Sequence, residues 1–331
     1  MKTIILLVVV IVIGFVWIND KSTSTQPPDV TLIQAVYHPD HLHLSEPDQA
    51  HRYGNLQLYP IYASPQFLNY HRQLGSYLSL QEALNQKKLV ITEIQGTEPS
   101  DQINRQNQLQ QRSDEDQAEV NTLLIQNISA DTIIILGGEV VRGGKQDRMI
   151  AQDFIILPHS DKIDISVFCV EHGRWNAEES VSFYMSMDVA PGKIRKAAKA
   201  AEPQEKVWEE VAVLHEDLDV KSSTGGLAYA LYDKKLADSV EHYKKHLQKI
   251  VWSDNVVGVI AVNGNEIVGC DIFAQHKLFA NYYPNLLSSY CSQVYKPATT
   301  AALPFVEVQT FLLSIIQGKH WKTVLHKTVP S

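Results

Sequence analysis

Hydrophobic and polar positions divide the chain into an uninterrupted apolar run, a polar stretch and a long region of short periodic segments. The run from Ile4 to Ile18 carries no polar side chain. As a helix it would rise about 1.5 Å per residue and cover about 22 Å, short of a hydrocarbon core roughly 30 Å thick. That length suits the apolar centre of a signal peptide, typically about 7–15 residues. Ser22 and Ser24 offer a small-residue spacing for cleavage, although there is no Ala-x-Ala, while Trp17 suits the interfacial anchor of a retained helix. Lys2 and the terminal amine favour an inside N-terminus, and no cysteine follows the run to carry a lipid. Residues 1–18 are therefore expected to be a signal or membrane anchor, the anchor being preferred, with the remainder outside the cytoplasm.

Residues 19–52 sustain no hydrophobic period and read as a flexible tether containing Ser, Pro and His. A globular domain is expected over 53–320, with a break into lobes near 190 left open, and a tail over 321–331. Alternation predicts strands at 55–62 and 89–94. Between them Ser79, followed three residues on by Glu82, forms a capping-box pattern for a helix from Leu80 to Leu84. The Gln-, Asn- and acid-rich stretch 96–119 reads as a solvated loop. Short β-branched runs at 120–127, 132–136, 149–157 and 163–170, separated by Asn, Asp, Gly and Pro, predict a β-rich layer. From Pro191 the period changes. Helices are predicted at 194–201, 204–215 and 234–251, a hairpin around Asn263-Gly264, then helices near 283–294 and 305–317. The fold class is α+β: a β-rich first half with short strands and turns, and helices around a β-hairpin in the second half. Gly138-Glu139-Val140-Val141 and Asn265-Glu266-Ile267-Val268 echo each other, which either two similar hairpins or a duplication would produce.

Composition narrows the class without changing this picture. Hydrophobic content of 44% and charge of 20% are those of an ordinary globular chain. A net charge of -8 with no large basic block argues against nucleic acid or an anionic lipid surface as partner. Membrane contact is expected through the N-terminal segment alone. Three cysteines cannot form a full disulfide framework. Cys270 and Cys291 are left as a pair that geometry could allow. Cys169 lies in an apolar run that would raise its pKa, which argues against thiol catalysis.

Two polar clusters stand out as candidate chemistry. The stretch from Gly137 to Arg148 superficially resembles a phosphate-binding loop. Counted from Gly138, Gly143 falls at the sixth position, but the Gly144-Lys145 pair then falls one place late, and Gln146 follows it where a hydroxyl must hold magnesium. No Gly-x-Gly-x-x-Gly fingerprint is present either, so nucleotide binding by these devices is rejected and no cofactor is named. What remains is a glycine turn beside Glu139, Lys145, Gln146 and Arg148, able to present an acid, an amide and cations to a small anionic or hydroxylated ligand. A solvated, salt-bridged turn would use the same residues. The second cluster, Glu171-His172-Gly173-Arg174-Trp175, follows the strand at 163–170. Here Glu171 is a candidate general acid or base, Arg174 an anion clamp and Trp175 a stacking platform, against the alternative of an ion pair under a packed ring. Glu139 and Glu171 are the candidate catalytic residues; Lys145, Gln146, Arg148, Arg174 and Trp175 are the candidate ligand-binding ones.

These two clusters in this order, about twenty residues apart, resemble the ARPP-1 family, the ARG and rhodanese-phosphatase-superfamily-associated protein domain. The Tyr59-Pro60-Ile61 opening is similar as well, as are Leu80-x-Glu82-Ala83-Leu84, Ile91-Thr92-Glu93, Asp271-Ile272-Phe273 and Leu286-Leu287-x-x-Tyr290. The likeness covers roughly residues 55–295. It implies a link to ADP-ribose or phosphoester metabolism through the domains the family name mentions, and no more. The segment near 98–117 departs from it as an insertion, and Asp147 stands where the family's run has Asn.

Other chemistries find less support. His242 and His246 lie at i, i+4, but Glu241 precedes the pair and two lysines separate it, so neither the zinc-protease pattern nor a metal site is expected. Gly-x-Ser-x-Gly is absent, which removes the commonest serine-hydrolase signature. Two readings remain open: a domain that binds or processes a small anionic molecule, and a non-catalytic, membrane-tethered interaction module.

Overall fold

The computed structural model describes residues 9–11, 38–72, 74–94, 121–171, 173, 183–199, 203–295 and 302–317. The expected loop at 96–119, most of the apolar run, His172, Arg174 and Trp175 lie outside them. The fold is mixed α+β, strand-rich from 42 to 169, with helices and one hairpin dominating the second half. The chain divides into two compact units.

The first unit comprises residues 1–75, 249–281 and 297–331. Its sheet runs β1 (Val9–Ile11), β15 (Glu266–Ile272), β14 (Val256–Asn263), β4 (Leu56–Ala63) and β2 (Leu42–Leu44), with β3 (Arg52–Tyr53) also on β4. β1 pairs in parallel with β15, Val10 opposite Asp271; the other pairs are antiparallel. β4 and β14 are the central strands, buried along almost their whole length. The hairpin turn falls on Gly264-Asn265, one residue later than the sequence suggested, because Asn263 pairs with Glu266. Gly264 takes φ 61 at the first central position, where a II′ turn requires glycine. Helix α1 (Pro65–Tyr70) is capped by Ser64, and α8 (Phe305–Ile316) places Val308, Leu312, Ile315 and Ile316 on the core face. Residues 42–52, read from the sequence as the end of the tether, instead supply β2 and the first residue of β3, strands of three and two residues that are too short for their pattern to register.

The second unit comprises residues 76–248 and 282–296. A six-stranded sheet has the order β13 (Phe183–Val189), β9 (Glu139–Gly143), β10 (Arg148–Ile150), β12 (Ile163–Cys169), β7 (Thr122–Asn127) and β6 (Leu89–Glu93). Every pairing along it is antiparallel. β13 and β6, the two ends of this order, lie in contact, so the sheet curls toward closure. The period-2 alternation of strands separates its two faces. Val141, Ile150, Ile165 and Val167 pack on the inner face with α2 (Leu80–Asn85) and a three-stranded sheet of β11 (Phe154–Ile156), β8 (Thr132–Ile135) and β5 (Tyr77–Ser79). Val140 and Met149 face outward onto α3 (Gly192–Lys199), α4 (Gln204–Leu218), α5 (Leu227–Leu231) and α6 (Lys234–Leu247). Helix α7 (His276–Cys291) contributes its residues from Tyr282 onward to this unit.

The expected strand at 149–157 is two strands in two different sheets, β10 and β11. β8 pairs with β5 and β11 rather than with β9, so the internal sequence echo does not mark two equivalent hairpins. All three cysteines are free and buried.

Candidate functional site

At one end of the curled sheet, β6 stops at Glu93, β12 stops at Cys169, β13 begins at Phe183, and β9 turns into β10 through Gly144–Asp147. Gly144 takes φ 56, and a Cβ there would lie 2.7 Å from both Glu93 Oε1 and Phe183 Cζ. Glycine is thus required twice, for the left-handed conformation and for the close approach. The Lys145 amide uses that approach to donate to Glu93 Oε1 at 2.7 Å. Lys145 Nζ and Arg148 Nη2 each stand 3.9 Å from a Glu93 oxygen. The Asp147 amide donates to Glu171 Oε2 at 3.4 Å, and Arg142 Nε donates to Asp147 Oδ2 at 3.2 Å.

Gln146 is the hub of this end. Its Oε1 accepts from Arg148 Nη1 at 3.0 Å and from the Cys169 thiol at 3.1 Å, and its Nε2 donates to the Glu171 carbonyl at 2.9 Å. Arg148 sits opposite Val141 and Cys169 in the ladder, so it projects to the inner face, where it is almost wholly buried. Gln204 brackets Cys169, accepting from its amide at 2.8 Å and donating to its carbonyl at 2.9 Å. Burial pushes the Cys169 thiol above its ordinary range, against the opposing pull of Arg148. Glu171 Oε1 accepts from Thr224 Oγ1 at 3.1 Å. The backbone beside it is strapped to the same loop, Gly173 N donating to Thr224 O and Leu227 N to Val170 O.

Glu139 lies elsewhere. It opens β9, four residues from Gly143, which at about 3.4 Å per residue puts it about 14 Å along the strand from the glycine turn. Its Oε2 accepts from the Leu136 amide at 2.6 Å. Among the described residues it shares no hydrogen bond or ion pair with Glu171. The structure therefore brings Lys145, Gln146, Arg148 and Glu171 together and sets Glu139 apart; Arg174 and Trp175 lie outside the described residues.

Three cations (Arg142, Lys145, Arg148) and three carboxylates (Glu93, Asp147, Glu171) gather at this sheet end. Desolvating so many charged groups is costly unless they are mutually paired and hydrogen-bonded. The carboxylates lie beneath, with Glu93 and Asp147 side chains 8% and 4% exposed, while Lys145 and Arg142 reach outward at 29% and 32%. Such a layout holds two cations rigidly at a surface and lets the turn pass closely over a buried framework. Among the described residues, no group of three or more His, Cys, Asp or Glu is placed to hold a metal.

Sequence reasoning missed Glu93, Gln204 and the Ser222–Gly226 loop. Glu93 did carry a signal, because period-2 alternation places it on the inner face with Leu89 and Ile91, a charge on an apolar row. Gly225-Gly226 after Ser-Ser-Thr marked a turn, but nothing local tied it to Glu171.

Residues 42–324 match the family model of the ARG and Rhodanese-Phosphatase-superfamily-associated Protein domain, ARPP-1. No curated protein and no solved structure matches the chain.

Proposed function

The chain belongs to the ARPP-1 family, and from that premise we propose that its second unit binds a small anionic molecule of the phosphoester or ADP-ribose class at the Gly144–Arg148 end of the curled sheet. One observation carries the reading: a glycine turn presents Lys145 and Arg142 at the surface over a buried framework of Glu93, Gln146, Asp147, Arg148 and Glu171. Convergent polar and charged side chains held at the end of a rigid sheet are the kind of arrangement from which binding sites are built. The family name points to ARG and phosphatase-type neighbours, which selects phosphate-bearing ligands among anions. Within the framework each cation already faces a carboxylate, so the surplus positive charge that an anion needs falls to Arg174, three residues after Glu171. Trp175 beside it would stack on a ring of the ligand.

A second reading has its own support. The Lys145 and Asp147 amides, which a phosphate-binding turn would direct at its ligand, are taken by Glu93 and Glu171. That favours a structural polar network in a non-catalytic interaction module. We place either form of the domain outside the cytoplasm, held by residues 1–18, on the strength of the apolar run.

Thermal denaturation of the full chain with ADP-ribose, inorganic phosphate or a neutral sugar separates the readings. A ligand that binds only the folded state at about 100 times its Kd adds about 2.7 kcal/mol of stability, a shift of several degrees. The ligand-binding reading expects that shift with ADP-ribose or phosphate, absent with the sugar and lost in Arg174→Ala. No shift with either anion leaves the interaction module.

A further inference from the structure

At the opposite end of β9 the turn Leu136-Gly137-Gly138 holds two carboxylates on consecutive amides. Leu136 N donates to Glu139 Oε2 at 2.6 Å, and Gly137 N donates to Asp153 Oδ1 at 2.7 Å. Gly138, at φ 98, makes room for a guanidinium side chain; a Cβ there would lie 2.6 Å from Arg195 Cγ and 2.8 Å from its Nε. Glu139 is 1% exposed and Arg195 2%.

The charged and titratable groups that face Glu139 come from three other elements. Asp153 arrives from the connection between β10 and β11, Arg195 from α3 and Tyr282 from α7, with Glu82 of α2 acting on Tyr282 in turn. Tyr282 donates its hydroxyl to Ile134 O at 2.7 Å. Glu139 thus stands near both an acidic and a basic side chain in a site withdrawn from water. Glu139 Oε1 meanwhile accepts no hydrogen bond among the described residues. A buried carboxylate oxygen without a donor is costly to ionise, whereas a carboxyl O–H at the same position carries no charge to desolvate.

We propose that Glu139 is a proton-binding site of the second unit, holding on Oε1 a proton that an ordinary carboxyl has lost and releasing it as the solution turns alkaline. Burial pushes the carboxyl up to about 8; the Leu136 amide and Arg195 oppose that shift and Asp153 reinforces it. Loss of the proton would leave a buried anion against the turn that joins β8 to β9, and β9 is one arm of the hairpin that carries Gln146.

The direction of the pH effect follows from linkage. An unfolded glutamate titrates at about 4.3, so above that pH the folded chain holds the proton more tightly than the unfolded one. Stability is complete below the unfolded value and falls as pH rises through the folded one, the unfolding constant growing about tenfold per pH unit within the window.

Chemical denaturation of the full chain between about pH 5 and pH 9 tests this. The wild type is expected to lose stability steadily up to about 8, while Glu139→Gln, which mimics the protonated acid, lacks that component and exceeds the wild type at the alkaline end. Parallel profiles for the two proteins overturn the proposal. Should Glu139→Gln fail to fold, Asp153→Asn decides, since its side-chain oxygen can still accept from Gly137. With the Asp153 charge removed, the fall in stability is expected to end at lower pH than in the wild type, because that charge helps to hold the proton on Glu139, and an unmoved end point overturns the proposal. Neither outcome depends on any ligand, so the result is independent of the binding proposal above.

Discussion

Gln146 satisfies three groups with one amide, and that economy makes it the most sensitive residue of the cluster. Gln146→Ala removes its hydrogen bonds with Arg148, Cys169 and Glu171 together. Buried polar groups that lose a partner cost about 1–3 kcal/mol each, and relaxation recovers part of this. We expect a destabilisation of about 2–4 kcal/mol by urea denaturation; a loss below about 0.5 kcal/mol would show the network to be slack. The cysteines give a simpler reading at the same scale. All three are buried, and burial pushes the Cys169 and Cys291 thiols up, the latter to about 12. None should react with dithionitrobenzoate in the native state, and all should after unfolding; rapid native labelling of Cys169 would contradict the closed environment described here. Gln146, Arg148 and Glu171 were visible in the sequence because unusual polar residues followed apolar runs. The residues that complete the cluster were not, because Gln204 reaches the Cys169 backbone and Thr224 reaches Glu171 across more than thirty residues of chain, and no local pattern records such a contact.

Elements show where local chemistry determines structure and where it does not. The short helix α2 was legible from Ser79 and Glu82 because its cap is self-contained, each side chain closing on the other's backbone. Ser79→Ala should cost about 1 kcal/mol. The run at 149–157 reads as one strand because the polar pair Gln152-Asp153 is too brief an interruption to mark a break by pattern alone. Only the pairing of β10 with β12 and of β11 with β8 separates the two pieces. β13 carried a period-2 signal that the sequence reading passed over, Phe183, Met185, Met187 and Val189 alternating with Tyr184, Ser186 and Asp188, and its pairing with β9 identifies it as a strand. The glycine turn is the element-scale test of the site. Gly144→Ala adds a Cβ against Glu93 and Phe183 at a left-handed φ. Strain of this kind costs about 1–3 kcal/mol, which equilibrium unfolding would register, and Glu93→Gln should recover none of it. An unchanged stability would mean that Glu93 and Phe183 yield easily and do not define the turn.

For the whole molecule, α+β class and the change from strands to helices near 190 were legible, because they rest on long stretches of period. The division into two units was not, since each is assembled from separated pieces of chain. The N-terminal run belongs to this scale as well. Its residues Val9–Ile11 form β1 on the edge of β15, and no described helix is long and apolar enough to cross a membrane. β1 and a membrane helix would compete for the same residues, and β-branched valines and isoleucine suit the strand. If export and anchoring hold, the full chain fractionates with membranes in a form that salt does not release, and removal of residues 1–18 frees it. Recovery of the intact chain in the cytosolic soluble fraction would contradict that placement.

The binding proposal is tested most directly by calorimetric titration of ADP-ribose into the full chain and into a Lys145→Ala, Arg174→Ala double variant. Charge-assisted hydrogen bonds contribute about 1.5–3 kcal/mol each, so losing one or both should weaken binding by about tenfold or more. The proposal predicts saturable binding at one site per chain, weakened to that degree in a variant whose unfolding is otherwise unchanged. An absence of binding heat in the wild type, or equal affinity in the two proteins, would contradict it and leave the cluster as a structural network.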